Sequence, residues 1–321
     1  MYLTLTANPS IDHYVRLPEN TTLKIGTDDS PSTNRSVNER FEAGGKGINV
    51  AKVLLRLMRA TGQDGKDVVC TGFIASFTGK EIVRSIEAEG LTSRFVEVPG
   101  HTRINLKLTD GNGRETEING SGPFVSPVNI NELTDTIADS DPDTLFVSGS
   151  LPFSSPSETY ADILSLLLQR RPNIRVIADC SGEALRNCLI HKPFLIKPNA
   201  SELSEISGIE LDTSSPPEVI KEAAMKLSSM GARNVLVSCG GNGACLLTES
   251  GDFLQVPGIK GKTVSTIGAG DTMVASFIFM LDRSGDPLKA LEFSNACAAC
   301  CAFTESLPSI DSLKDILKGF S

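Results

Sequence analysis

The sequence predicts an α/β protein with a mostly parallel central sheet and a second, smaller β-sheet beside it. Two observations carry this. Along most of the 321 residues, short apolar β-rich runs alternate with longer helical patterns. Strands that alternate with helices imply βαβ units and a sheet buried on both faces. In a few places the rhythm changes to strict apolar/polar alternation, the mark of strands with one dry and one wet face.

Met1-Tyr2-Leu3-Thr4-Leu5-Thr6 is apolar and lacks a positively charged start. It reads as the first core strand, with no signal peptide expected. Mixed stretches at about 11–17 and 37–42 carry the two-faced pattern. Residues 67–73 read as a strand and 78–89 as a helix. Ile104, Leu106 and Leu108 alternate with Asn105 and Lys107, a turn comes at Asp110-Gly111-Asn112-Gly113, and the chain returns. The spacing predicts a hairpin over 103–119. These two-faced segments are expected to join as a lid emerging from the main body; edge strands of the main sheet are the alternative. A strand at 144–147 and a helix at 157–169 come next, then strands at 175–178, 194–196 and 234–238. No linker and no internal repeat divides the chain, so residues 1–321 are expected to form one unit.

Composition narrows the function. A net charge of −9 argues against nucleic acid as a partner, yet a few local cations can still hold an anionic ligand. No run of about 18 apolar residues could span a bilayer, so no membrane partner and a cytoplasmic location are expected. The eight cysteines are scattered, and only His13, His101 and His191 accompany them. Cys297-x-x-Cys300-Cys301 sits in a small-residue helical run without a second pair at zinc spacing, which favours core packing over a metal site.

Four motifs carry chemistry. The first is Ser265-Thr266-Ile267-Gly268-Ala269-Gly270-Asp271, with a helical pattern from about Asp271. Unpaired N–H groups at a helix start bind anions, phosphate above all, and small residues let the ligand approach. Asp271 is either a plain first-turn acid or a base beside that nest. The second is Ala43-Gly44-Gly45-Lys46-Gly47-Ile48-Asn49, a glycine turn opening a helix. It matches neither a Walker A loop nor a dinucleotide fingerprint. Lys46 and Asn49 lie one turn apart, a pairing that suits a polyhydroxy ligand or, more plainly, a tight strand-to-helix turn. The third is Lys197-Pro198-Asn199 with Glu202, at the end of a buried strand. Asn199 and Glu202 can form an ordinary capping box. They can equally hold water on Mg²⁺, with Lys197 reaching a phosphate. The fourth, Ser238-Cys239-Gly240-Gly241-Asn242-Gly243, is either a nucleotide-lining turn or a simple β-turn.

In this order the motifs resemble the PfkB (ribokinase-like) family of carbohydrate kinases over nearly the whole chain. The resemblance implies a ribokinase-like three-layer fold with a β-sheet lid, ATP as phosphoryl donor and Mg²⁺ as helper. By position, Asp271 resembles the catalytic base and Gly268, Ala269 and Gly270 the anion hole. Lys197, Asn199, Ser238, Gly240, Gly243 and Thr266 resemble nucleotide contacts, and Glu202 the residue that organises Mg²⁺ through water. Asp12, Gly45, Lys46 and Asn49 resemble sugar contacts. Asn8-Pro9-Ser10-Ile11-Asp12, Gly149-Ser150-Leu151-Pro152 and Thr116-Glu117-Ile118-Asn119 are similar to the 1-phosphofructokinase and tagatose-6-phosphate kinase subgroup. A substrate that already carries a phosphate is therefore expected, with Arg103 and Lys107 as its cations. Fructose 1-phosphate comes first, tagatose 6-phosphate second. An unphosphorylated sugar or nucleoside is the next alternative, and a non-catalytic sensing module the non-enzyme one. A homodimer through the lid would suit its apolar face. Residues 56–67 look like an insertion that touches none of this chemistry.

Overall fold

The computed structural model describes residues 1–26 and 30–320. The strands are β1 (Tyr2–Thr6), β2 (Ser10–Arg16), β3 (Asn38–Gly44), β4 (Val68–Ile74), β5 (Thr92–Glu97), β6 (Arg103–Thr109) and β7 (Glu115–Ile118). They continue as β8 (Thr144–Ser148), β9 (Arg175–Asp179), β10 (Leu195–Ile196), β11 (Val235–Ser238), β12 (Gly243–Leu247) and β13 (Phe253–Pro257). The helices are α1 (Lys46–Ala60), α2 (Ser76–Ala88), α3 (Pro127–Asp139), α4 (Thr159–Arg170) and α5 (Gly182–Cys188). After them come α6 (Ala200–Ser207), α7 (Pro217–Ser229), α8 (Ala269–Ser284), α9 (Pro287–Ala302) and α10 (Ile310–Lys318).

Among the described residues, nine strands form the main sheet in the order β13-β12-β11-β10-β9-β8-β1-β4-β5. It is parallel from β5 to β11 and antiparallel only at β12 and β13. Successive residues of its strands enter different cores. Leu145, Val147, Val176 and Ala178 pack with α3 to α7, while Phe146, Ile177, Leu195 and Leu236 pack with α1, α2, α8, α9 and α10. The period of two along a strand thus produces a three-layer fold, because both faces find apolar helix stripes.

The second sheet runs β3-β2-β6-β7 and is mixed: β2 pairs antiparallel with β3 but parallel with β6. Its strands leave the main sheet after β1 and β5, which places Asp12 opposite Asn105 in register.

Two expectations need correction. The segment 56–67 is not an inserted loop throughout. Helix α1 runs to Ala60, because Val53, Leu54, Leu57 and Met58 continue its buried stripe, and only residues 61–67 are irregular. The helix behind the first motif begins at Ala269, two residues early, with Gly268 as its N-cap in a left-handed conformation (φ 78°). The cysteines are free thiols. Cys297 and Cys301 are buried on α9 against α8, and Cys300 is half-buried.

Candidate active site

In open α/β sheets ligands bind beyond the carboxyl ends of the strands, where the strand order reverses. Here the order reverses around β1, with β4 on one side and β8 on the other. Beyond those strand ends lies a cavity of about 940 Å³. Its walls include Asp12, Asn105 and Lys107 from the small sheet at one end and Ser238, Gly240 and Gly241 at the other. Gly268, Ala269, Gly270 and Asp271 lie between them.

Asp271 is buried at the head of α8. Its Oδ2 accepts a 2.7 Å hydrogen bond from Nδ2 of Asn49. Burial, and then the charge of Asp179, push its carboxyl up to about 6. Gly268 has no side chain with which to cap the helix. The first-turn N–H groups of Gly270 and Asp271 have no carbonyl partner within α8, and both residues line the cavity at the positive end of the helix dipole.

Beside this turn stands a buried cluster. Asp179, the last residue of β9, is about 1% exposed. Its Oδ1 lies 3.3 Å from Lys46 Nζ and 3.4 Å from Lys197 Nζ, and its Oδ2 has no hydrogen-bond partner among the described residues. Burial alone would raise this carboxyl, but Lys197 and Lys46 together hold it below the ordinary carboxylate range. Asp179 in turn raises Lys46. Lys197 crosses in front of the turn so closely that a Cβ on Gly270 would sit 3.1 Å from its Nζ.

At the small-sheet end, Asp12 accepts from Ser10 Oγ at 2.7 Å and Asn105 Nδ2 at 3.0 Å, and pairs with Lys107 Nζ at 3.0 Å. A carboxylate has about four acceptor sites, so roughly one remains for a hydroxyl. Burial pulls Lys107 down, but the Asp12 charge and hydrogen bond more than offset it. Arg103 donates from Nε to the carbonyl of Asn8 at 3.1 Å, and burial lowers it. Both cations line the cavity with Gly45. At the other end Asn199 and Glu202 form the full capping box of α6: Glu202 N–H donates to Asn199 Oδ1 and Asn199 N–H to Glu202 Oε2, each at 2.9 Å. Asn199 bridges to Ser238, and Thr266 completes this wall.

The structure thus gathers every candidate residue except one. Gly243 does not line the cavity. It starts β12 at φ 102°, where a Cβ would lie 2.1 Å from the carbonyl oxygen of Val256, so its role is to let β13 pack close. Three further residues of the site are not evident from sequence. Asp179 has only the weak signal of an acid ending an apolar strand. Asn105 is visible in the alternation but not as a partner of Asp12. Gly44 lies so near Asp12 that a Cβ would meet its carboxylate at 2.7 Å.

The chain resembles known proteins over nearly its whole length. The model of the pfkB family carbohydrate kinases matches residues 5–310. The 1-phosphofructokinase of Bacillus subtilis is 36% identical, over 99% of this chain and 97% of its own. The D-tagatose-1-phosphate kinase of Bacillus licheniformis is 32% identical, over 98% and 96%. The crystal structure of phosphofructokinase-2 from Escherichia coli in complex with fructose-6-phosphate superposes with a TM-score of 0.84 at 28% identity, covering 99% of this chain and 98% of the other. The inhibited form of that enzyme is tetrameric. The chain belongs to the pfkB family of carbohydrate kinases. It is an ATP-dependent sugar kinase of ribokinase-like fold. Among the described residues, no helix is long and apolar enough to cross a membrane.

Proposed function

We propose that this kinase transfers the γ-phosphoryl group of ATP to the free primary hydroxyl of a ketohexose 1-phosphate, fructose 1-phosphate foremost, giving fructose 1,6-bisphosphate in the cytosol. The observation that carries the reading is Asp271: a buried carboxylate at the head of α8, between the hydroxyl-binding and nucleotide-binding ends of one cavity.

Asp12, with its one remaining acceptor site, orients a sugar hydroxyl, and Gly45, Lys46 and Asn49 complete that end. Arg103 and Lys107 meet the phosphate already on the sugar, since a buried phosphate without cations is very costly. The relatives named for fructose and tagatose 1-phosphates support phosphate at carbon 1. Lys197, Asn199, Ser238, Gly240 and Thr266 hold the nucleotide. Asp271 takes the hydroxyl proton as the sugar oxygen bonds to the γ-phosphorus. The bond from that phosphorus to the bridging oxygen breaks, and ADP leaves with its electron pair. The free N–H groups of the 268–271 turn and the Lys197 ammonium stabilise charge on the transferred oxygens, so positioning and electrostatics supply most of the rate.

The site also fits Mg²⁺. Glu202 keeps one carboxylate oxygen free of its capping bond, and among the described residues Asp179 Oδ2 has no partner and no thiol or imidazole lines the cavity. A hard cation takes such oxygens. Among the described residues no cluster of three ligating side chains forms, which suits an ion held mainly through water and phosphate. Bound there, Mg²⁺ would neutralise phosphate charge.

On the face of the small sheet opposite Asp12, Phe41, Ile104 and Ile118 are exposed. They support a homodimer through this lid. The substrate reading is tested by an ADP-coupled assay across fructose 1-phosphate, tagatose 1-phosphate, tagatose 6-phosphate, fructose 6-phosphate and unphosphorylated fructose. Turnover highest with a 1-phosphate supports it; preference for fructose itself overturns it.

A further inference from the structure

Helix α1 carries Asn49, Lys52 and Arg56 on one face, and each reaches a different part of the site's framework. Asn49 holds Asp271. Lys52 donates to the carbonyl of Ala43 at 3.3 Å, next to the glycine that abuts Asp12. Arg56 donates from Nη1 to the carbonyls of Leu307 at 3.0 Å and Pro308 at 3.1 Å. Glu89 pairs with both cations, at 2.9 Å from Lys52 and 3.6 Å from Arg56. Arg56 does not line the large cavity.

The carbonyls that Arg56 holds belong to the irregular segment after α9, and that segment forms the back of the Gly268 turn. A Cβ on Gly268 would lie 2.6 Å from Leu307 Cδ2, so Leu307 is packed against the bare backbone with no slack. The residues leading into the turn hang on the last turn of α9, from which that segment leaves. Val264 and Ser265 donate their N–H groups to the Ala302 carbonyl, and Cys301 Sγ lies 3.5 Å from the Ile267 carbonyl. The near end of the segment is tied by Thr304 to the Cys301 and Ser306 carbonyls. Its far end is tied by Arg56.

We propose that Arg56 is a positioning residue for phosphoryl transfer: its guanidinium clamps the Leu307 and Pro308 carbonyls, Leu307 stays seated beneath Gly268, and the turn's free N–H groups stay aimed at the transferred group. Glu89 orients the clamp. The planar fork serves two carbonyls and a carboxylate at once, which a lysine ammonium does less well. The inference rests on the reading of the 268–271 turn as the phosphoryl-binding element.

The test is steady-state kinetics of Arg56→Met, Leu307→Ala and the double variant with ATP and the preferred sugar phosphate. A misplacement of about 1 Å costs roughly 100-fold, so each single variant should lose about 10- to 100-fold in kcat. KM for the sugar phosphate should stay within about twofold. The double variant should be no worse than the poorer single one, because both cut the same connection. Added guanidinium ion should restore part of the kcat of Arg56→Ala. Native kcat in the single variants, or losses that multiply in the double, overturns the proposal. If Arg56→Met does not fold, Arg56→Lys decides: a kcat loss of at least about fivefold supports the clamp, and native kcat overturns it. Asp271→Asn, run alongside, separates the two readings. Its loss of turnover with intact Arg56 variants defeats the clamp alone, and its full activity defeats the functional reading itself.

Discussion

Asp271→Asn should make the protein more stable while disabling it. The carboxyl is raised from 3.8 to about 6, first by burial and then by Asp179. The folded state therefore binds this proton more tightly than the unfolded chain does. Its contribution to stability is fully present below pH 3.8 and is lost as the pH rises through about 6. At about 1.4 kcal/mol per pH unit, the ionised side chain costs the fold roughly 3 kcal/mol at pH 8 and about half that at pH 5. Asparagine has no charge to bury, and its amide oxygen can still accept from Asn49. Thermal unfolding of both proteins at pH 8 and pH 5 reads the difference. With roughly 2 °C per kcal/mol for a chain of this size, the variant should melt about 6 °C higher at pH 8 and about 3 °C higher at pH 5. A variant that melts lower at pH 8, or by the same margin at both pH values, would refute the claim that a strained ionised carboxylate sits at the head of α8.

The same geometry sets three other outcomes. The acid limb of kcat/KM should fall near pH 6, where Asp271 is half protonated, with a tenfold loss per pH unit well below it; a flat profile down to pH 5 would count against this base. Glu202→Gln keeps the capping box but removes the charge, so it should raise the Mg²⁺ requirement while the melting temperature holds; Glu202→Ala should also lose about 1 kcal/mol of stability. Gly44→Ala drives a methyl into an Asp12 carboxylate already fixed by three donors. Loss of one such hydrogen bond is worth about 1–3 kcal/mol, so KM for the sugar phosphate should rise roughly tenfold or more while KM for ATP stays put.

What can be read from the sequence is what local chain chemistry writes. Gly268-Ala269-Gly270-Asp271 needs a left-handed N-cap and room for a ligand, and both show as residue types. Lys197-Pro198-Asn199 with Glu202 spells a strand end and a capping box in six letters. The apolar runs at 144–147 and 175–178 place apolar residues on both faces, and the three-layer fold results. What depends on long-range pairing is hidden. Asn105 matters because β2 and β6 run in register, and nothing near residue 105 says so. Asp179 looks like any acid after a strand until Lys46 and Lys197 arrive from elements far away in sequence. Arg56 reads as loop because Gly62 and Gly65 come soon after it, and the carbonyls it holds lie some 250 residues later. Gly243 misleads for the opposite reason: a glycine turn looks the same whether a ligand or β13 approaches it.

The most direct test of the account is product formation by Asp271→Asn. With ATP and fructose 1-phosphate, the native protein should release one fructose 1,6-bisphosphate per ADP, resolved by phosphorus NMR. The folded variant should bind ATP with native affinity yet form product about 100- to 10,000-fold more slowly, the range for loss of a general base. Product formation at a near-native rate by that variant would contradict the assignment of Asp271 as the base.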